Sequence, residues 1–342
     1  MMSMPFTSPM AVPRWPGGII FYGYIDDILA EGNTAIRCDN EGIRNTGFHP
    51  DGWTKSGYPA IIKVRYNISI DDGSPHEGSA AYSHLFYYAV GGSSNGADYP
   101  IIHNNIFKLG ANTTRIFGTG STGSIWSHFY NNILYGKDTV SVFDIGSKSV
   151  MTHGSFDYNI IYPKTLIDRS KFASGVYGNT GISKAIVRSE FDVSKLAGFK
   201  LNSADQNISV GAGFRADQTL EGRRDLSKIF SLTRDFFGNA IRPDDVLDIG
   251  VHQIGNEGLK AVEFKTGLGG SYIQHQAVPV GGLASKPSTD PTRNGYKFDG
   301  WYTDESYTTA WNFETCIVSD NTVLYAKWIS STDETSYEND LN

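Results

Sequence analysis

The sequence predicts an all-β protein whose main body is a parallel β-solenoid, and three observations carry that reading. First, four stretches align around one asparagine: Val64-Arg65-Tyr66-Asn67-Ile68, Ile102-His103-Asn104-Asn105-Ile106, Phe129-Tyr130-Asn131-Asn132-Ile133 and Phe156-Asp157-Tyr158-Asn159-Ile160. Second, the last three asparagines stand at equal steps of 27 residues, 105 to 132 and 132 to 159. Periods of about 20 to 50 residues mark stacked repeats. Third, 342 residues with 38 Gly, 13% aromatic and only 19% charged residues suit a glycine-rich β chain, long enough to bury a sizeable core and hold two domains.

Each column of the repeat has a physical reading. Val64, Ile102, Phe129 and Phe156 stand three residues before the Asn, Ile68, Ile106, Ile133 and Ile160 one residue after it, and both columns are predicted to point inward. The Asn between them is polar yet repeated in register, which in stacked strands implies a ladder of side-chain amides. A left-handed turn position, which Asn tolerates better than most residues, is the other reading, and it too fits a solenoid. The step from Asn67 to Asn105 is 38 residues, eleven over the period, so a loop rich in polar and aromatic residues should bulge between Asp72 and Asp98. Earlier, Ile19-Ile20, Ile25 and Ile36 read as short strands of the first coils. Residues 165 to 200 break the period, with a short helix or excursion at 189–197, and Asn207-Ile208 could resume the ladder.

Charge and cysteine content limit the function. A net charge of −7 without any Lys/Arg cluster argues against nucleic acid or anionic membranes as partners. Cys38 and Cys316 fall in what read as different domains, so neither a disulfide framework nor a zinc cluster is expected. No stretch of 18 or more apolar residues is present. Residues 1–16 form an N-terminal extension that lacks a charged segment followed by an apolar one and reads as the start of an excised fragment.

Two resemblances sharpen this outline. The Asn repeats, with Thr233-Arg234-Asp235-Phe236-Phe237-Gly238-Asn239 and Asp248-Ile249-Gly250-Val251-His252-Gln253, resemble the coils of secreted right-handed parallel β-helix proteins of the pectate-lyase-like superfamily. That places a β-helix domain at 17–256. Farther on, Gly295-Tyr296-Lys297-Phe298-Asp299-Gly300-Trp301-Tyr302, Trp311-Asn312-Phe313 and Leu324-Tyr325-Ala326-Lys327-Trp328 resemble a Listeria–Bacteroides repeat of bacterial surface proteins. The resemblance implies a small β-grasp-like module at 260–329, followed by a polar tail at 330–342, on a protein exported to the cell surface or beyond. Trp301, Tyr302, Trp311 and Trp328 are read as core, because so small a module needs large apolar side chains.

The function expected of the solenoid is glycan binding. Neighbouring coils stand about 4.8 Å apart, close to one sugar ring, so one outward side chain per coil could meet successive sugars. Two columns are predicted to face outward: Arg65, His103, Tyr130 and Asp157 two residues before the Asn, and Ile70, Lys108, Tyr135 and Tyr162 three after it. Candidate carbohydrate contacts are Tyr135, Tyr162, Lys108, Tyr130 and His103, flanked by Trp126 and Tyr99.

The resemblance also implies a catalytic alternative, a polysaccharide lyase or glycoside hydrolase. A lyase needs a Lys or Arg base and carboxylates that hold Ca²⁺; Lys63, Arg65, Asp71, Asp72, Glu77 and Asp98 are the material, although Asp71-Asp72-Gly73 also reads as an ordinary turn. Of the hydrolase motifs of the superfamily only the Asp71-Asp72 pair is matched. The five histidines from His76 to His153 share no column, so no metal or other cofactor is expected from them. The pattern resembles non-catalytic β-helical carbohydrate-binding modules, a resemblance that implies a monomeric module joined to other domains of a larger secreted glycan-degrading enzyme, with xylan as partner. A surface adhesin for a host protein is the third reading.

Overall fold

A computed structural model describes residues 19–24, 27–36, 45–53, 61–70, 83–88, 101–109, 115–119, 124–136, 150–162, 197–200 and 232–331. Contacts divide the chain into two units: Met1–Ala216 with Val246–His252, and Asp217–Asp245 with Gln253–Asn342.

The first unit is all-β and built from parallel sheets. Its strands are β1 (Ile19–Tyr24), β2 (Asp27–Glu31), β3 (Thr34–Ile36), β4 (Asn45–Trp53), β5 (Ile61–Arg65), β6 (Ile68–Ile70), β7 (Ser83–Tyr88), β8 (Ile101–His103), β9 (Ile106–Lys108), β10 (Arg115–Thr119), β11 (Ser124–Tyr130), β12 (Ile133–Tyr135), β13 (Val150–Asp157) and β14 (Ile160–Tyr162). They pair as β1-β4-β7-β10, β2-β5-β8-β11-β13 and β3-β6-β9-β12-β14. From β1 to β12 consecutive strands enter the three sheets in rotation. Each round lays a new parallel strand beside the last, so positions one repeat apart become neighbours.

Register follows the sequence period. Val64 lies opposite Ile102, Ile102 opposite Phe129, and Phe129 opposite Phe156. These four are at most 2% exposed. Phe129 and Phe156 stack with ring centroids 5.2 Å apart, and Phe107 lies 6.1 Å from Phe129. The column three before the Asn and the column two after it therefore share the interior.

Two expectations change here. The insertion between Asp72 and Asp98 is not only loop, because Ser83–Tyr88 forms β7, paired with β4 and β10. Alternating His84, Phe86 and Tyr88 carry the period of a strand. Of the proposed helix at 189–197, only the end is described, as a 3₁₀ turn at Ala197–Phe199.

The second unit holds β15 (Leu259–Lys265), β16 (Gln276–Pro279), β17 (Gly282–Leu283), β18 (Tyr296–Tyr302), β19 (Ile317–Val318) and β20 (Thr322–Ser330). Four of them form a mixed sheet, β16-β15-β20-β18, and β17 pairs with β19. Val262, Phe264, Val278, Ala284, Trp301, Val318, Leu324 and Ala326 make its core, with Phe298, Trp311, Phe313 and Trp328 packed against it. Trp301 meets Phe264 and Phe298 edge-on at 4.9 and 5.2 Å, a favoured aromatic geometry. Gly300 has φ +122°, a conformation open to glycine, at a bulge that returns Trp301 to the core face. Tyr302, expected in the core, is instead half-buried, because strand alternation places it on the face opposite Trp301.

Candidate functional site

The corner between the parallel sheets is the frame on which any outer site is built. Gly32, Tyr66, Asn104, Asn131 and Tyr158 all have positive φ, between 52° and 71°, so each coil bends at the residue just before the aligned asparagine. That left-handed bend is costly for residues other than glycine. It is supported by the amides that follow it. Asn33, Asn67, Asn105 and Asn132 each donate Nδ2–H to the Oδ1 of the next rung, at 3.0, 2.9, 2.9 and 3.1 Å. Each of those oxygens also accepts the backbone N–H of the rung before, at 2.9–3.1 Å. The ladder and the left-handed turn thus coexist on successive residues. Asn33 is a rung that spacing missed; its signal was the Gly32-Asn33 pair.

A second polar layer lies outside the first. Asn131 Nδ2 donates to Asn104 Oδ1 at 3.2 Å, and Asn104 Nδ2 donates to Asp248 O and Gly250 O at 2.8 and 3.0 Å. Gly250 N–H returns a bond to Asn131 O at 2.9 Å. Segment 246–252 is therefore laid over this corner, with Leu247, Ile249 and Val251 fully buried. A Cβ on Gly250 would stand 2.7 Å from Ile133 Cδ1 and 3.9 Å from Ile106 Cδ1. The isoleucine column after the Asn is buried as predicted, but Ile106 and Ile133 lie beneath this segment and not in the interior, since Phe107 and Leu134 one residue on alternate to the inside.

Burial also corrects the first outward column. His103 and Tyr130 are 0% exposed and Arg65 is 1% exposed. His103 stacks on Tyr130 at 5.6 Å and donates Nδ1–H to Asn104 Oδ1, the amide tied to Asp248 and Gly250. Arg65 pairs with Glu31 at 2.9 Å, beside the equally buried Lys63. Burial, and then the charges of Lys63 and Arg65, hold the pKa of His103 well below the usual histidine value. Neither His103 nor Tyr130 presents a surface to solvent.

The second outward column lies at the ends of the three-residue strands. Ile36 pairs with Ile70, Ile70 with Lys108, Lys108 with Tyr135, and Tyr135 with Tyr162. Ile36 is 57% exposed, Ile70 half-buried and Lys108 exposed, but Tyr135, expected to face outward, is buried at 9% exposure. Three of the predicted contacts, Lys108, Tyr135 and Tyr162, are thus brought to one register on adjacent strands. Trp126 lies in β11 opposite His153. Tyr99, Asp71, Asp72, Glu77 and Asp98 lie outside the described residues.

Comparison with known proteins bears on the second unit first. Residues 261–327 match the Listeria–Bacteroides repeat domain. A protein of Evansella cellulosilytica named as a Gly-rich membrane protein is 33% identical over 134 residues, 38% of this chain and 14% of that protein. Another from the same organism, also named as a membrane protein, is 37% identical over 70 residues, 20% of this chain and 10% of its own length. The chain thus spans only a small part of both relatives, and it carries a repeat of the kind found on bacterial surface proteins. Among the described residues no helix is long and apolar enough to cross a membrane.

Proposed function

We propose that this chain is a non-catalytic glycan-binding part of a surface or secreted protein. Its first unit is read as a right-handed β-helix of the pectate-lyase-like kind, and its ligand as an extended neutral polysaccharide, xylan first. The observation that carries the reading is the register Lys108–Tyr135–Tyr162 on three neighbouring parallel strands. Strands in such a sheet are about 4.8 Å apart, so an extended chain of sugars running across them meets one residue per ring. The exposed Lys108 ammonium supplies donors to hydroxyl oxygens, Tyr162 would offer a ring face to sugar C–H surfaces, and Tyr135, only 9% exposed, would underlie them. A neutral glycan also suits a protein of net charge −7 better than a polyuronate does.

Binding is preferred over lysis because Lys63 and Arg65, the basic side chains a lyase would use, are 0% and 1% exposed, and Arg65 is committed to Glu31. Affinity electrophoresis through soluble xylan tests the proposal. The protein should be retarded, and Tyr135→Ala with Tyr162→Ala should reduce the shift. Unchanged mobility of the wild type across xylan, glucomannan and mixed-linkage glucan would reject it. A host-protein adhesin is the second reading, favoured by the surface repeat at 261–327; it gains if the repeat captures a protein partner while no glycan retards the chain.

A further inference from the structure

The face of the repeat sheet opposite Trp301 carries a row of tyrosines that its core does not need. Tyr302 of β18 lies opposite Tyr325 of β20, and Tyr325 lies opposite Lys265 of β15. Register partners share a face, so the row crosses three strands. Tyr307 extends it, meeting Tyr302 edge-on at 5.7 Å and 40% exposed. Charges of both signs frame the rings. Lys265 Nζ sits 5.6 Å from the Tyr325 ring, and Lys327 Nζ sits 5.2 Å from the Tyr302 ring. Lys327 also pairs with Asp299 at 2.6 Å and reaches the Tyr302 hydroxyl at 3.5 Å. Partial burial, then Glu305 and Glu263, raise the pKa of Tyr325, and Glu305 hydrogen-bonds it.

We infer that this row is a second carbohydrate site, in which Tyr302, Tyr325 and Tyr307 stack on the sugars of a neutral β-linked glycan while Lys327 and the flanking carboxylates bind its hydroxyls. The charge pattern selects this occupant. A hydroxyl both donates and accepts, so it can satisfy ammonium and carboxylate alike. A polyproline segment, the other common guest of tyrosine rows, offers only carbonyl acceptors, so it cannot donate to the lone pairs left on Asp299, held by Lys327, and on Glu263, held by Thr233 and Arg234. A polyanion would meet three carboxylates against three cations, Lys265, Lys327 and Arg234, of which Lys327 and Arg234 are already paired with Asp299 and Glu263.

The site is independent of the coil column, and the test keeps them apart. The full chain carrying Tyr135→Ala and Tyr162→Ala is titrated calorimetrically with xylohexaose and with cellohexaose. Binding of one hexasaccharide should survive. Adding Tyr307→Ala, an exposed change that leaves the thermal transition in place, should weaken it about fivefold, and adding Tyr302→Ala with Tyr325→Ala should abolish it. Loss of all hexasaccharide binding in the coil variant overturns the inference, as does residual binding that none of the three repeat substitutions alters. Saturable binding of a proline-rich peptide with neither sugar bound also overturns it, in favour of a peptide site.

Discussion

The two units solve the same problem, fixing β-strands in one register, by opposite means. In the first, register is set by polar groups: each Asn amide reaches the next rung within 3.1 Å, and the corner before it is forced into the left-handed region. In the second, register is set by shape, with Trp301 packed edge-on between Phe264 and Phe298, and one glycine bulge correcting the alternation. A repeated coil can use one identical hydrogen bond per turn, so its stability is distributed. A single small module has no such repetition and depends on a few large side chains.

The largest expected effects break one device in each unit. Asn132→Leu removes bonds to Ile102 O, Tyr130 O and Asn159 Oδ1 and leaves buried donors of Asn105 without their acceptor. Urea unfolding followed by circular dichroism should show the coil unit destabilised by about 3–5 kcal/mol. Trp301→Ala should destabilise the repeat by about 3–5 kcal/mol, read by loss of near-ultraviolet dichroism. A loss below about 1 kcal/mol for either would show that the device is not what holds its unit.

Smaller changes sharpen the contrast between interior and edge of the ladder. Gly250→Ala places a methyl 2.7 Å from Ile133 Cδ1 at φ +101°, so it should cost about 1–3 kcal/mol in the same urea assay and loosen segment 246–252 toward proteases. Asn33→Ala removes only a terminal rung that is partly open to water, and about 1 kcal/mol is expected. If Asn33→Ala matched Asn132→Leu, the ladder would be acting as one cooperative unit and not as a sum of rungs.

What could be read from sequence follows the same division. The inner column and the amide ladder were legible because identical residues recur at a fixed spacing, and stacking makes recurrence equivalent to contact. Asn33 escaped because its coil pairs weaker signals, Ala30 and Thr34, with the aligned Val64 and Ile68. The outer columns could not be read. His103 and Tyr130 alternate as surface residues should, yet segment 246–252 returns across more than 140 residues to cover their corner, and no period announces it. In the repeat, the motif Gly300-Trp301-Tyr302 identified the core tryptophan but grouped Tyr302 with it. Alternation about the bulge separates them.

The smallest effect expected is also the most specific to the covered corner. His103 is buried with Lys63, Arg65, Tyr66, Tyr130 and Asn104 around it, and Glu31 neutralises Arg65 from the neighbouring strand. Its folded pKa is depressed, so as pH falls the unfolded chain takes up the proton first, near the ordinary value of about 6.5. Stability associated with neutral His103 is therefore complete above about pH 6.5 and declines as pH falls through the lower folded value. Urea midpoints of the coil transition, measured at intervals from roughly pH 7.5 down to 5.5, should fall in the wild type and flatten in His103→Gln, which keeps a donor toward Asn104. The carboxylates titrate mainly below this window, so they contribute little to the slope. A slope equally steep in His103→Gln would assign the titration to another group of the first unit, such as the buried His128 or His252.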